Sequence, residues 1–172
     1  VESGLMEKEA MKLNEDYSFY IQKKLPYVIL KVAMTSNGMI SWGNGKRKRI
    51  SCGHSMKMAY DLRGKYSAVL VGIGTILKDN PELTTHSGKL HEPLKIVVDS
   101  KLKIPLNAKI IGVDGNCLIA CSKKASKEKA AKLAGKKAMV LMLGEKNGEI
   151  NLMELLKTLA IMGISSVIVE GG

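Results

Sequence analysis

The sequence predicts an α/β fold of three layers, a mainly parallel sheet with helices on both faces. Three observations point there. Six short segments are almost wholly apolar and rich in β-branched residues, as strands buried in a parallel sheet are. Segments with helical spacing lie between them, and strands that alternate with helices make βαβ units. Hydrophobic residues make up 45% of the chain but aromatic residues only 4%, so the core is aliphatic. At 172 residues the chain is one domain's worth, since domains run roughly 100–200 residues.

Taken in order, residues up to about Lys24 are charged, with Met6, Ala10 and Leu13 at helical spacing, and Pro26 ends that segment. Tyr27 to Met34 reads as a strand buried on both faces. A loop rich in Gly and Asn follows from Asn37 to Gly45, then the basic run Lys46–Arg49. Ser55 to Lys65 is helical. Ser67 to Val71 is a second strand, closed by Gly72-Ile73-Gly74-Thr75 and a short helix to Lys78 that Asp79-Asn80-Pro81 breaks. Leu94 to Asp99 is a third strand and Asn116 to Cys121 a fourth. Ser126 is placed to cap a helix that runs to Ala134, with Gly135 to stop it. Ala138 to Leu143 is a fifth strand. Asn151 to Met162 is an amphipathic helix with Leu152, Leu155, Leu156 and Leu159 on one stripe, ended by Gly163. Ser165 to Val169 is a sixth strand, running into Glu170-Gly171-Gly172. An α/β fold normally begins another loop and helix at such a point, so the expectation is that the C-terminal part of the domain is missing.

Composition excludes several classes. No stretch approaches the ~18–20 apolar residues of a membrane span, and no basic start leads into an apolar run as a secretory signal does. The formal net charge is +11, from 27 Lys+Arg against 16 Asp+Glu. Three cysteines, Cys52, Cys117 and Cys121, are odd in number and form no C-x-x-C pair. A disulfide framework is therefore not expected, and the reading is a soluble, intracellular, cytoplasmic protein. Cys117 and Cys121 share a strand face, but no histidine lies near enough in sequence to complete a zinc set, so they read as small core residues. His54, His86 and His91 have no ligand spacing, and no metal is expected. The run Lys46–Arg49 has only Trp42 beside it for base stacking, so it reads as a solvated loop rather than a nucleic-acid site.

Open α/β sheets bind ligands at the carboxyl ends of their strands, near a topological switch point. Gly72-Ile73-Gly74-Thr75 follows a strand and opens a helix, where backbone N–H groups can approach a phosphate; Leu77 occupies the third glycine's place in G-x-G-x-x-G. Glu170-Gly171-Gly172 offers a carboxylate and then permissive backbone. Two glycine turns on one sheet point to a nucleotide. Lys31, inside an apolar strand, must either reach the strand end as a functional group or pair with a carboxylate.

Several of these segments together resemble a known family. Pro26-Tyr27-Val28 through Lys31-Val32-Ala33-Met34-Thr35-Ser36-Asn37-Gly38 is similar to the opening of the reductase domain of bacterial riboflavin-biosynthesis bifunctional deaminase-reductases. Asp61-Leu62-Arg63, Val71 to Thr75, Asp79-Asn80-Pro81-Glu82-Leu83-Thr84, Ile96 to Asp99 and Val169 to Gly172 follow in that family's order. The resemblance implies a dihydrofolate-reductase-like fold, NADPH as cofactor and a pyrimidine ribose phosphate as substrate. The reaction it implies is reduction of 5-amino-6-(5-phosphoribosylamino)uracil to the ribitylamino compound. It further implies that residues 1–24 are a linker after an absent deaminase domain, that residues 25–172 are the reductase domain, and that such domains pair as homodimers. Carried over residue by residue, Ala33, Arg49, Gly72, Thr75, Asp79, Ser100, Gly171 and Gly172 would meet the cofactor. Arg47, Arg63, Leu83, His86 and Glu170 would meet the substrate, with Arg63 suited to its phosphate. Lys31 and Glu170 would position or protonate the sugar.

Four positions depart from the family pattern: Asn37 replaces an Asp, Arg47 a substrate-binding Ser, Arg49 a cofactor-contacting Trp, and His86 a phosphate-binding Arg. The alternatives are a related NADPH reductase acting on a pterin or diaminopyrimidine, or a non-catalytic nucleotide- or RNA-binding module. Neither H-x-E nor P-C-x-x-C occurs, so the deaminase chemistry of the family is not encoded in this chain.

Overall fold

The computed structural model describes residues 4–40, 50–85, 91–112 and 115–171. Two helices open the chain, α1 (Glu7–Leu13) and α2 (Glu15–Lys23), separated at Asn14. Then come β1 (Tyr27–Lys31), α3 (Gly53–Lys65), β2 (Ala68–Gly72), α4 (Ile73–Asp79), β3 (Leu94–Val98), α5 (Lys109–Gly112), β4 (Cys117–Ser122) and α6 (Lys127–Ala134). The chain closes with β5 (Met139–Leu143), a hairpin of β6 (Glu145–Lys146) and β7 (Glu149–Ile150), α7 (Leu152–Ile161) and β8 (Ser166–Glu170).

Side-chain caps set two helix starts. Ser126 Oγ accepts from Lys129 N–H, as expected, and Asn151 Oδ1 accepts from Met153 and Glu154 N–H. Asn80 ends α4 in a left-handed conformation (φ 43°) before Pro81. Gly135 follows α6 but keeps right-handed backbone (φ −60°); the left-handed turn falls at Lys137 (φ 65°). The hairpin was not expected from the sequence. Its signal is Asn147-Gly148, both at positive φ (56° and 80°), the residue pair that a tight two-residue hairpin turn requires.

The six-stranded sheet has the order β1-β8-β2-β3-β4-β5, and every pairing in it is parallel. Two apolar layers flank it. One gathers Val69, Val71, Val97, Ile119, Cys117 and Cys121 with side chains of α3, α4, α5 and α6. The other gathers Ala68, Ile96, Leu118 and Val167 with Leu155 and Leu159 of α7 and Ile150 of β7. The crossovers through α3 to α6 step one way along the sheet over the first face. The last connection, through α7, returns over the second face and inserts β8 between β1 and β2. Crossovers of one hand that reverse direction must change faces. The reversal makes the β1-β8-β2 region the switch point, where open sheets bind ligands.

The expectation for the first strand needs correction. β1 stops at Lys31 and lies at the sheet's edge with a half-buried, exposed, half-buried alternation. Val28 is 46% exposed and Leu30 71%. An apolar run does not distinguish a central strand from an edge one; neighbours do that. α2 is tied to this edge and to α7, since Phe19 meets Tyr27 edge-to-face at 5.7 Å and Tyr20 donates to Ala160 O at 3.0 Å.

Lys95 is wholly buried in the middle of the sheet, and its Nζ has no hydrogen-bond partner among the described residues. Burying a polar group without a partner is unfavourable by about 1–3 kcal/mol on mutational scales. Lys95→Met, of similar length and apolar, is therefore expected to raise unfolding stability by ~1–3 kcal/mol, measured by urea denaturation. A loss of stability would contradict this account of the core.

Candidate functional site at the carboxyl edge of the sheet

β1 and β8 run parallel with Lys31 in register with Glu170, the last residue of each strand. Glu170 is only 8% exposed, and a carboxylate that deep requires partners. Arg63, in the last turn of α3, supplies them: Nε donates to Oε1 and Nη2 to Oε2, both at 2.8 Å. Such a fork is the strongest form of carboxylate recognition available to a side chain. The remaining nitrogen, Nη1, donates to Thr84 O at 3.0 Å, and Tyr60 lies under the guanidinium at 5.4 Å. Lys31 Nζ stands 3.9 Å from Glu170 Oε2. Its side chain is 32% exposed against 12% for that of Arg63, so Lys31 is the more exposed cation of this cluster.

Of the two alternatives for Lys31, the structure shows the pairing with a carboxylate, made at the strand end. Arg63 is a different matter. All three of its nitrogens are engaged inside the protein, so its place is behind Glu170, as the group that orients it and pins the loop at Thr84. Leu83 is 4% exposed, in left-handed backbone (φ 55°), with its side chain in the core. Ala33 is half-buried two residues past β1. Beyond it Thr35 N–H donates to Met39 O and Gly38 N–H to Thr35 O, while Thr35 Oγ1 donates to Asn37 Oδ1, so Asn37 fills a turn.

Further along the edge, a side chain built on Gly72 or Gly74 would meet no atom within 4 Å. The backbone there faces open space, as close approach by a ligand requires. Thr75 and Asp79, four residues apart, share one face of α4. Ser100 follows β3 in a turn held by its buried neighbour: Asp99 Oδ2 accepts from Ile104 N–H at 2.7 Å, and Asp99 O accepts from Leu102 N–H. Gly171 is exposed beyond β8. Arg47, Arg49, His86 and Gly172 lie outside the described residues. Open glycine backbone, a hydroxyl at Ser100 and lysines beyond it form a donor set that fits a phosphorylated dinucleotide.

Ser122, Lys124 and Glu145 were not singled out in the sequence. Ser122 Oγ donates to Glu145 Oε1 and Lys124 Nζ to Glu145 Oε2, each at 2.5 Å. The Lys123-Lys124 pair directly after a strand was the available signal; the partner on the hairpin had none beyond Asn147-Gly148.

Among the described residues no group of three or more His, Cys, Asp or Glu could hold a metal. Cys117 and Cys121 are both fully buried in one core layer. Burial pushes the Cys117 thiol up to about 11, against the opposing charge of Lys95, and raises Cys121, with Asp99 adding to the shift. Cys52 is exposed, and its hydrogen bond with Ser55 lowers its thiol.

The chain matches the RibD C-terminal domain family over residues 26–172. It is 39% identical over 173 residues to the riboflavin biosynthesis protein RibD of Aquifex aeolicus, covering 100% of this chain and 47% of that protein. It is 38% identical over 157 residues to the 2,5-diamino-6-ribosylamino-4(3H)-pyrimidinone 5′-phosphate reductase of Archaeoglobus fulgidus, covering 86% and 70%. Among solved structures it is similar to the diaminohydroxyphosphoribosylaminopyrimidine deaminase/5-amino-6-(5-phosphoribosylamino)uracil reductase of Thermotoga maritima. The TM-score there is 0.79 at 30% identity, covering 98% of this chain and 45% of that one. The chain spans about half the length of the RibD relatives it matches.

Breaking a buried ion pair from one side strands the other charge, at about 3–5 kcal/mol. Arg63→Ala is expected to lose that much stability in urea denaturation, and adding Glu170→Ala should recover part of it. A loss below ~1 kcal/mol, the level of exposed pairs, would show that Glu170 does not depend on Arg63. In a thiol-reagent titration near neutral pH, Cys52 alone should react in the folded protein and all three cysteines after denaturation. A Cys52→Ser variant that still reacts while folded would place Cys117 or Cys121 at the surface.

Proposed function

Because the chain belongs to the RibD C-terminal domain family, we propose that it carries the NADPH-dependent reduction of 5-amino-6-(5-phosphoribosylamino)uracil to its ribitylamino form in riboflavin biosynthesis. The observation that carries this reading is the Lys31–Glu170–Arg63 cluster at the sheet's switch point. A positioned cation and carboxylate stand there beside open glycine backbone on the neighbouring strand. Residues 25–172 are on this reading the reductase domain, joined to residues 1–24, cytoplasmic and paired as a homodimer, with a pyrimidine ribose phosphate and no nucleic acid as partner. No helix among the described residues is long and apolar enough to cross a membrane.

Backbone at Gly72, Gly74, Gly171 and Gly172, with Ala33, Thr75, Asp79, Ser100 and Arg49, would hold the cofactor. When bound, NADPH supplies a hydride for C1′ of the ring-opened sugar imine. The remaining work falls to side chains. Lys31 Nζ, the reachable cation, donates the proton that the imine nitrogen takes up as C1′ is reduced. Glu170, fixed by the Arg63 fork, accepts hydrogen bonds from sugar hydroxyls and holds C1′ in place. Arg63 acts through Glu170. Arg47 and His86 are the cationic or titratable side chains left for the substrate phosphate, and Leu83 meets substrate only through its backbone.

The similarity to the Archaeoglobus fulgidus reductase favours a second reading, in which the substrate is the diaminopyrimidinone that still carries its 2-amino group. Steady-state NADPH oxidation by the whole polypeptide, with each pyrimidine in turn, separates the two. Lys31→Met is expected to lower kcat/KM by about 10²–10⁴-fold, the usual worth of a positioned acid, with NADPH Kd little changed. Unchanged turnover in that variant would remove Lys31 from the mechanism, and failure to bind NADPH at low salt would sink the reductase reading itself.

A further inference from the structure

The Arg63–Glu170 fork is held firmly within its own plane and only loosely out of it. Nε and Nη2 of Arg63 donate to the two oxygens of Glu170, and Nη1 donates to Thr84 O. A guanidinium is planar and its N–H groups lie in that plane, so these three hydrogen bonds set where the fork sits within the plane. They resist tilting poorly, because a hydrogen bond weakens steeply only once its angle falls below ~120°. What packs against a face of the guanidinium therefore decides its tilt.

Tyr60 stands three residues before Arg63 on α3, a spacing that makes the two side chains neighbours on the helix surface. Its ring centroid lies 5.4 Å from the guanidinium carbon, within the ~6 Å reach of a cation–π contact. The side chain of Arg63 is 12% exposed and that of Glu170 9%, so the contact is made largely out of water, where such contacts are strongest.

We propose that Tyr60 is a positioning residue: its ring fixes the tilt of the Arg63 guanidinium and, through the two hydrogen bonds of the fork, the direction in which the Glu170 carboxylate offers its lone pairs to substrate. This rests on the reading that Glu170 holds the sugar at the switch point. Glu170 Oε2 also stands 3.9 Å from Lys31 Nζ, so the same tilt sets the spacing between the carboxylate and the more exposed cation. Removing the ring leaves Glu170 paired with its arginine. The ion pair and the fold survive, and alignment is what is lost.

Two substitutions separate the ring from the hydroxyl. Tyr60→Leu keeps an apolar side chain without an aromatic face, and Tyr60→Phe restores the face alone. In steady-state NADPH oxidation by the whole polypeptide, Tyr60→Leu is expected to lower kcat by roughly tenfold to a hundredfold, the scale of a misplacement near 1 Å, with KM little changed. Tyr60→Phe should recover most of that loss. In urea denaturation Tyr60→Leu should lose far less stability than Arg63→Ala. Unchanged kcat in Tyr60→Leu would overturn the proposal. So would a loss in Tyr60→Phe as large as in Tyr60→Leu, which would make the hydroxyl the working group, or a stability loss in Tyr60→Leu equal to that of Arg63→Ala. If the unmodified protein oxidises no NADPH with either pyrimidine, the reductase reading falls on its own, and the alignment is read by NMR instead. The Arg63 Nε–H proton, held on Glu170, should exchange slowly with water in the unmodified protein and in Tyr60→Phe, and faster in Tyr60→Leu. Equal exchange in all three proteins overturns the proposal.

Discussion

The buried fork between Arg63 and Glu170 joins three parts of the molecule that are far apart in the chain. Arg63 stands on the last turn of α3, Glu170 on the final residue of β8, and the third contact is the Thr84 carbonyl in the loop after α4. A carboxylate so little exposed tolerates few arrangements, because any that leaves it unpaired is several kcal/mol worse. The pair therefore fixes where α3 ends relative to the switch point. It also fixes where Lys31, one strand away, finds its counter-charge. Arg63, which the resemblance would put on the substrate phosphate, has its three nitrogens on Glu170 and the Thr84 carbonyl in this structure.

Around that anchor the sheet is unequal in its two faces and its two edges. Four helices cover one face, while α7 and the hairpin cover the other. β1 is left with Val28 and Leu30 open on the less covered side. At the centre Lys95 holds an unpartnered amine in a layer of valines, isoleucines and cysteines. This fold is thus not optimised position by position; it carries an unfavourable residue in the core and keeps its polar investment at the strand ends.

The net charge of +11 also acquires a location. Lysines follow β3 and β4 on the same edge as the glycine turns, and Glu145 reaches that corner from the hairpin, held by Ser122 and Lys124. Like charges grouped on one edge of a sheet raise the local concentration of anions there.

The sequence by itself determined the alternation of strands and helices, the caps at Ser126 and the break at Asn80-Pro81, the aliphatic character of the core, and, through the motifs from Pro26 to Gly172, the family. These are legible because backbone preference, burial period and motif spacing are properties of contiguous residues. Glu170 and Lys31 were also visible, since a charge at the end of an apolar strand stands out against its neighbours. The strand order was decided only in three dimensions, and with it everything that depends on who sits beside whom. Arg63 finds Glu170 across 107 residues of chain. β1 becomes an edge although its composition reads as interior, Lys95 is sealed between strands, and Glu145 closes on Ser122 from a hairpin. Pairings of this kind depend on which elements pack together, and no local pattern records that choice.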